Sequence, residues 1–495
     1  MLPLSIFSVN LLSDNLLLLA SVLVFFAILI TKVGARLGAP SLLLFLLLGM
    51  VVGADGLGLE FEDYEVAESI GHFAMTIILL TGGLETSLHE TKPVMRHGIM
   101  LSTLGVLLTA VLTGLFAYLV VGKSIGPLGA SFMGCFLLAA VMSSTDSASV
   151  FSVLRGKRTK LRENLGPMLE LESGSNDPMA YVLTIIIVQV LSSTKHTGTW
   201  AMLGTGAWVL LVQIVIGFLI GIGLGFGAKW LLGKINLPSN ALYSVLILSV
   251  AFFANGLTSL LYGNGLLALY VAAIIIGNNL DMTRKRDILK FFDGMTWLMQ
   301  LLMFLMLGLL ARPSQFSTIV WPALAIGVFM MFFARPLSVF ISLLPFRKMS
   351  FKAKAFASWV GLKGAGPILF ALCPVVAGLE GSTEIFNIVF FITLISLLLQ
   401  GMTLSPAARW LKLSYDEDPE VETFGMEIPD EMGMLRDHTV SEQDLENGET
   451  LRDLHLPHGI RVMMVKRGER FLVPHGSMAL QPGDHLIIIM GDSDD

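Results

Sequence analysis

Five acidic or amide side chains stand where the sequence is otherwise apolar. The run Ser143-Ser144-Thr145-Asp146-Ser147 interrupts the apolar stretch 126–153, and the stretch 163–192 carries Glu170, Glu172, Ser173, Asn176 and Asp177, followed at once by Pro178. Acidic groups inside a lipid-spanning segment are costly to bury, so a cluster of them marks a functional site by default. Desolvation and like-charge repulsion both oppose ionising two neighbouring carboxylates together. A proton is therefore a natural competitor of any cation they bind. Carboxylate, hydroxyl and carbonyl oxygens suit hard cations such as sodium and potassium. The chemistry expected is alternation of a monovalent cation and a proton at one site, with no divalent metal and no cofactor.

The spacing says how such a site would be lined. A hydroxyl-rich interruption serves as a broken helix whose freed carbonyls and half-helix ends form a cation site near mid-membrane, here with Asp146 and the Thr145 carbonyl facing it. Ser173 lies three residues before Asn176 and four before Asp177, so all three share a helical face. Against this stands the bland reading that Asp146 borders a loop or pairs with a base, that Glu170 is structural, and that Glu172 is the partner of a buried cation. Two bases fall within apolar stretches: Arg335, followed by Pro336, and Lys363 in the glycine-rich break Gly361-Leu362-Lys363-Gly364-Ala365-Gly366-Pro367.

Positioning these residues requires a membrane scaffold. The chain has 495 residues, of which 54% are hydrophobic and 14% charged, with a mean hydropathy of +0.76. A spanning helix needs roughly 20 apolar residues, and about thirteen such runs are expected between residues 16 and 410: 16–33, 39–57, 66–86, 98–121, 126–153, 163–192, 201–228, 238–261, 265–280, 291–311, 317–344, 355–378 and 384–408. The first run is followed by Lys32 and Arg36 rather than a small-residue cleavage site, so it reads as a retained helix. If runs 1–6 and 8–13 are inverted repeats, runs five and twelve are equivalent and their breaks meet at the site. Threaded with the N-terminus outside, cytoplasmic loops hold 21 Lys and Arg and the opposite loops only Lys123, Lys195 and Arg312. Basic residues concentrate on the cytoplasmic side, so both orientation and C-terminal location follow. Cys135 and Cys373 fall within spans and read as packing residues rather than a disulfide, and His72 is the one histidine inside a span, which suggests no metal cluster.

Beyond about residue 413 the composition changes. Residues 414–495 carry 19 acidic and 6 basic side chains, whereas residues 1–413 carry 19 acidic and 26 basic. Residues 414–435 read as an acidic linker, and 436–495 as a small α/β cytoplasmic domain. Its strand candidates are 461–465, 471–473 and 485–490, with turns at Arg467-Gly468 and at 481–484.

Two resemblances sharpen the picture. The tail, with Gly448, Leu451, Leu454, Pro457, Arg467-Gly468-Glu469, Pro474 and Gly483-Asp484, resembles the TrkA-C (RCK-C) module, which implies a homodimer and control by a small cytoplasmic ligand such as a nucleotide. The run Glu172-Ser173-Gly174-Ser175-Asn176-Asp177, with Ser144-Thr145-Asp146 before it and Gly361-Leu362-Lys363-Gly364-Ala365 far downstream, resembles the NhaP-type cation/proton antiporters. With the tail, the likeness is to the bacterial potassium/proton antiporters of that type, also named CvrA, located in the inner membrane. The resemblance implies that Asp177 alternately binds proton and cation, that Asp146, Thr145 and Ser173 help ligate the cation, that Asn176 holds the site's shape, and that Glu172 pairs with the base of run twelve. Relatives usually have arginine where this chain has Lys363, and an ammonium cannot make the fork of a guanidinium. Glu85, in Gly82-Gly83-Leu84-Glu85, matches an acidic residue that joins the site in some relatives. Asn176, where others have a second aspartate, implies electroneutral exchange. Potassium is the expected substrate, with sodium or rubidium as further candidates.

Two other classes compete. A ligand-gated potassium channel would need a repeated TVGYG-like filter, which is absent from the sequence, and a membrane sensor would leave the acid cluster without a role. Neither a nucleophile-base pair nor a phosphate-binding loop points to an enzyme, and nothing suggests nucleic-acid binding.

Overall fold

The computed structural model describes residues 16–37, 40–122, 125–155, 159–192, 199–280, 282–416, 435–440, 443–445, 448, 450–454, 460–467 and 470–490. The linker segment 417–434, Lys123, Lys195, Glu442, Pro457, Gly468 and Glu469 lie outside these residues. The chain divides into two compact units, Met1–Tyr415 and Asp416–Asp495.

The first unit is helical. Its helices are α1 (Leu16–Leu37), α2 (Ser41–Val52), α3 (Tyr64–Glu85), α4 (Met95–Val121), α5 (Phe132–Val141), α6 (Ser147–Arg155), α7 (Leu165–Ser192), α8 (Thr199–Lys234) and α9 (Asn240–Leu260). They continue as α10 (Gly265–Gly277), α11 (Met282–Leu310), α12 (Pro313–Ser342), α13 (Phe351–Trp359), α14 (Ala365–Val376) and α15 (Ser382–Trp410). Among the described residues eight helices are long and apolar enough to cross a membrane, and five apolar helices are shorter. Two of the shorter ones, α5 and α14, are halves of interrupted helices, which is why the expected runs of full length do not all appear as such.

Polar residues set the starts. Asp63 caps α3 by accepting from the Val66 N–H at 3.0 Å, Ser131 caps α5 at Gly134, Asn264 caps α10 at Leu267 and Ser350 caps α13 at Ala353. Helices approach closely where side chains vanish. A Cβ on Gly49 of α2 would lie 2.3 Å from the Leu305 carbonyl oxygen of α11, and one on Gly308 of α11 would lie 2.3 Å from that of Leu46. Small residues of this kind let membrane helices pack backbone to backbone. In α12 the turn Met330–Ala334 is a π-helix that ends against Arg335. Pro336 has no N–H to give the Phe332 carbonyl, and the widened turn accommodates that loss.

The second unit is a four-stranded antiparallel sheet made of β1 (Leu435–Thr439), β2 (Ile460–Arg467), β3 (Arg470–Leu472) and β4 (His485–Met490), in the order β1-β4-β2-β3. Strand β1 is missing from the sequence expectation, which ran the linker through Leu435. Its residues Arg436, Asp437, His438 and Thr439 are polar, and only pairing with β4, Leu435 opposite Ile489 through Thr439 opposite His485, makes them a strand. Among the described residues this unit has a 3-10 turn (Gln443–Leu445) and no α-helix. Val440, Leu454, Val465, Leu480, Leu486 and Ile488 form its core. Arg467 forks onto buried Asp484 through Nε at 2.8 Å and a terminal nitrogen at 2.7 Å. Burial alone would push the Asp484 carboxyl up, but the hydrogen bonds from Arg467 and from the Gln481 N–H outweigh it and hold this acid below its ordinary range.

Candidate functional site

Both polar breaks interrupt helices as expected, at 142–146 between α5 and α6 and at 360–364 between α13 and α14. They also meet. The Asp146 N–H donates to the Leu362 carbonyl at 2.9 Å, and Lys363 Nζ donates to the Ser144 carbonyl at 2.7 Å. The approach is close enough that a Cβ on Gly364 would fall 1.8 Å from Asp146 Oδ2. Lys363 is buried, and its own N–H is held by Ser396 Oγ at 2.9 Å, which in turn donates to Gln400. Lys363 Nζ thus lies on a carbonyl of the break that follows α5, on the side where a cation opposes the negative end of that helix.

Helix α7 supplies the facing wall. Ser173 Oγ donates to the Thr145 carbonyl at 2.8 Å, and Asn176 Nδ2 donates to Thr145 Oγ1 at 2.6 Å. Asp177 Oδ1 accepts from Ser144 Oγ at 2.6 Å. Asp146 accepts from the Ser149 N–H at 3.0 Å, which caps the first turn of α6. Asp146 therefore does serve a structural end, the bland reading of the sequence, while also lining the site.

Two spaces open onto these groups. A void of about 40 Å³ is bounded by Ser144, Asp146, Asp177, Gln300 and Gly366, ample for a water or a bare monovalent ion. A larger cavity of about 400 Å³ is lined by Asp146, Ser173, Gly174 and Asp177 together with Glu85, Glu170, Tyr270, Asp293, Thr296 and Gln300. Glu85 joins the cavity wall, as does Glu170, which reads as structural from the sequence alone. Asp293, Tyr270 and Gln300 were not anticipated. Each lies in a run read as plain apolar packing, and only the fold carries α10 and α11 to the cavity.

One expected contact is replaced. Glu172 pairs not with Lys363 but with Arg335: a terminal guanidinium nitrogen lies 2.5 Å from Glu172 Oε1, the two side chains being 4% and 1% exposed. The reason is reach and demand. The long guanidinium of α12 reaches one oxygen of the α7 carboxylate, while the shorter reach of Lys363 ends on the Ser144 carbonyl within the break. So Asp146, Thr145, Ser173, Asn176, Asp177 and Lys363 come together, and Glu172 with Arg335 forms a separate buried pair.

Comparison with known proteins gives the same frame. Residues 21–410 match the family model of the transmembrane sodium/hydrogen exchanger, and residues 447–494 match the TrkA-C domain. The chain is 38% identical to the K(+)/H(+) antiporter NhaP2 of Shewanella sp. (strain MR-4) over 483 residues, which covers 96% of this chain and 81% of that protein. It is also 38% identical to the K(+)/H(+) antiporter NhaP of Alkalimonas amylolytica over 464 residues, covering 93% and 75%. Its fold is similar to that of the sodium proton antiporter MjNhaP1 from Methanocaldococcus jannaschii, with a TM-score of 0.68 at 23% identity over 79% of this chain and 97% of that one.

Proposed function

The chain belongs to the sodium/hydrogen exchanger family, and from that premise we propose that it exchanges cytoplasmic potassium for external protons, one for one, by competition at Asp177. The observation that carries this reading is the meeting of the two breaks. Asp146 and Asp177 line a void of about 40 Å³ there and, with Ser173, the polar cavity that shares those two acids, while the Thr145 carbonyl accepts from Ser173 Oγ beside them. In the sequence of events we infer, Asp177 releases its proton and a cation enters among these oxygens. On the opposite side a proton displaces it.

The local charges support electroneutral exchange. Asp146 is engaged in capping α6, and Lys363 Nζ is held on the Ser144 carbonyl of the same break. Glu172 and Arg335 neutralise each other. On this reading Asp177 is the charge that exchanges, balancing either one proton or one monovalent cation. Potassium is favoured because two relatives at 38% identity carry that ion in their names and share most of this chain's length.

The same reading places thirteen spans, in two inverted repeats, in a bacterial inner membrane with the N-terminus periplasmic and the tail cytoplasmic, and makes the protein a homodimer whose tail senses a small ligand. The loop charges and the TrkA-C match support it. It is tested in everted vesicles holding a preset ΔpH, to which potassium, sodium, rubidium or lithium chloride is added. The expected result is a collapse of ΔpH, greatest with potassium, that is lost in Asp177→Asn. Equal collapse by sodium would overturn the potassium preference, and a normal response of Asp177→Asn would remove Asp177 from the mechanism.

A further inference from the structure

Helices α3 and α14 pack together at the end of the molecule that the loop charges assign to the outside. A Cβ on Gly71 of α3 would meet Leu369 Cδ1 of α14 at 2.2 Å. Beside that contact Glu68 and His72, four residues apart on one face of α3, approach Cys373 of α14. A carboxylate oxygen, an imidazole nitrogen and the thiol sulfur all lie within 4.8 Å of one another. Cys373 is buried and the other two half-buried. No local pattern hints at this, since His72 reads as a solitary histidine and Cys373, some 300 residues away, as packing.

We propose that Glu68, His72 and Cys373 form a site for a soft divalent ion of the zinc or cadmium class, and that an ion bound there clamps α3 to α14 and stops exchange. The donor set is one thiolate, one imidazole and one carboxylate. Such a set favours zinc-like ions over magnesium or calcium, and three protein ligands leave a fourth position for water, as in open zinc sites. Metal–ligand bonds of about 2.0–2.3 Å require the three donors, now within 4.8 Å of one another, to draw in toward the ion. On ligation the thiol gives its proton to solvent. The Tyr181 ring stands edge-on to His72 at 5.0 Å and fixes its orientation. A cavity of about 380 Å³, lined by His72, Tyr181, Asn255, Ser259 and Asn264, runs to the loop between α9 and α10 and provides an entry path.

The consequence for transport rests on the exchange reading above. The cavity that reaches Asp177 passes Glu85 at the far end of α3, whereas the Glu68 end is packed against α14. Alternating access requires that packing to part, because a site open to one side must close there and open to the other. A metal bridging the two helices prevents the parting.

The test has two separable readouts. Purified full-length protein titrated with cadmium chloride is followed by the ultraviolet thiolate-to-cadmium charge-transfer band. We expect one ion per chain, the band retained in Cys135→Ser and lost in Cys373→Ser, and binding weakened by at least about tenfold in His72→Ala. No band, or a band that survives Cys373→Ser, overturns the site whether or not the protein exchanges ions. In right-side-out vesicles, external cadmium is expected to abolish exchange by the wild type and not by Cys373→Ser. Stoichiometric binding with undiminished exchange overturns the clamp.

Discussion

At the scale of single residues, the candidate site divides into groups with fixed charges and one that is free to change. Glu172 and Arg335 are both almost completely buried, and either alone would be an uncompensated charge in the membrane interior. Arg335→Met or Glu172→Gln is therefore expected to destabilise the membrane unit by about 3–5 kcal/mol, and the double variant by much less, since an apolar replacement of both partners is often neutral. Thermal melting of the detergent-solubilised protein would read this, and additive losses would contradict the pairing. The acids and hydroxyls of 143–147 and 172–177 were legible in the sequence because polar groups in apolar runs are costly. The partner of Glu172 was not, because two bases were available and only three-dimensional reach distinguishes Arg335 from Lys363.

At the scale of elements, the meeting of two interrupted helices positions everything else. The interruptions at 142–146 and 360–364 were readable from Ser, Thr and Asp in one and from glycines in the other. Their contact, with the Asp146 N–H on the Leu362 carbonyl, spans more than 200 residues and leaves no local trace. Gly364 stands at the closest point. Gly364→Ala would set a methyl group against Asp146 Oδ2, and a displacement of about 1 Å at a reacting group can cost roughly 100-fold in rate. Exchange in reconstituted vesicles is expected to fall by that order with the protein still folded, and an unchanged rate would show that the breaks tolerate separation. The roles of α10 and α11 were hidden for a related reason: Tyr270 and Gln300 look like packing until the fold turns them toward the cavity.

At the scale of the whole molecule, a helical membrane unit and a small sheet unit have separate cores and separate vulnerabilities. In the sheet unit Asp484 is held ionised by Arg467 and the Gln481 N–H. A carboxyl whose folded-state titration lies below its unfolded one contributes stability at neutral pH, and that contribution is lost as pH falls through the folded value. Asp484→Asn should remove about 2 kcal/mol from this unit at pH 7 and very little once the wild-type acid is itself protonated, as hydrogen exchange of β2 and β4 in the full chain would report. Equal protection of variant and wild type at pH 7 would contradict it. The sheet's existence was legible from its short apolar runs between turn residues, but β1 was not, since its polar residues become a strand only through β4. The central claim, that proton and cation compete for Asp177, is tested most directly by potassium-dependent exchange rates in vesicles clamped at a series of pH values. The account predicts that acidification raises the potassium concentration needed for half-maximal rate in proportion to the proton concentration and leaves the maximal rate unchanged. A maximal rate that falls with pH while the half-saturating concentration stays constant would contradict it.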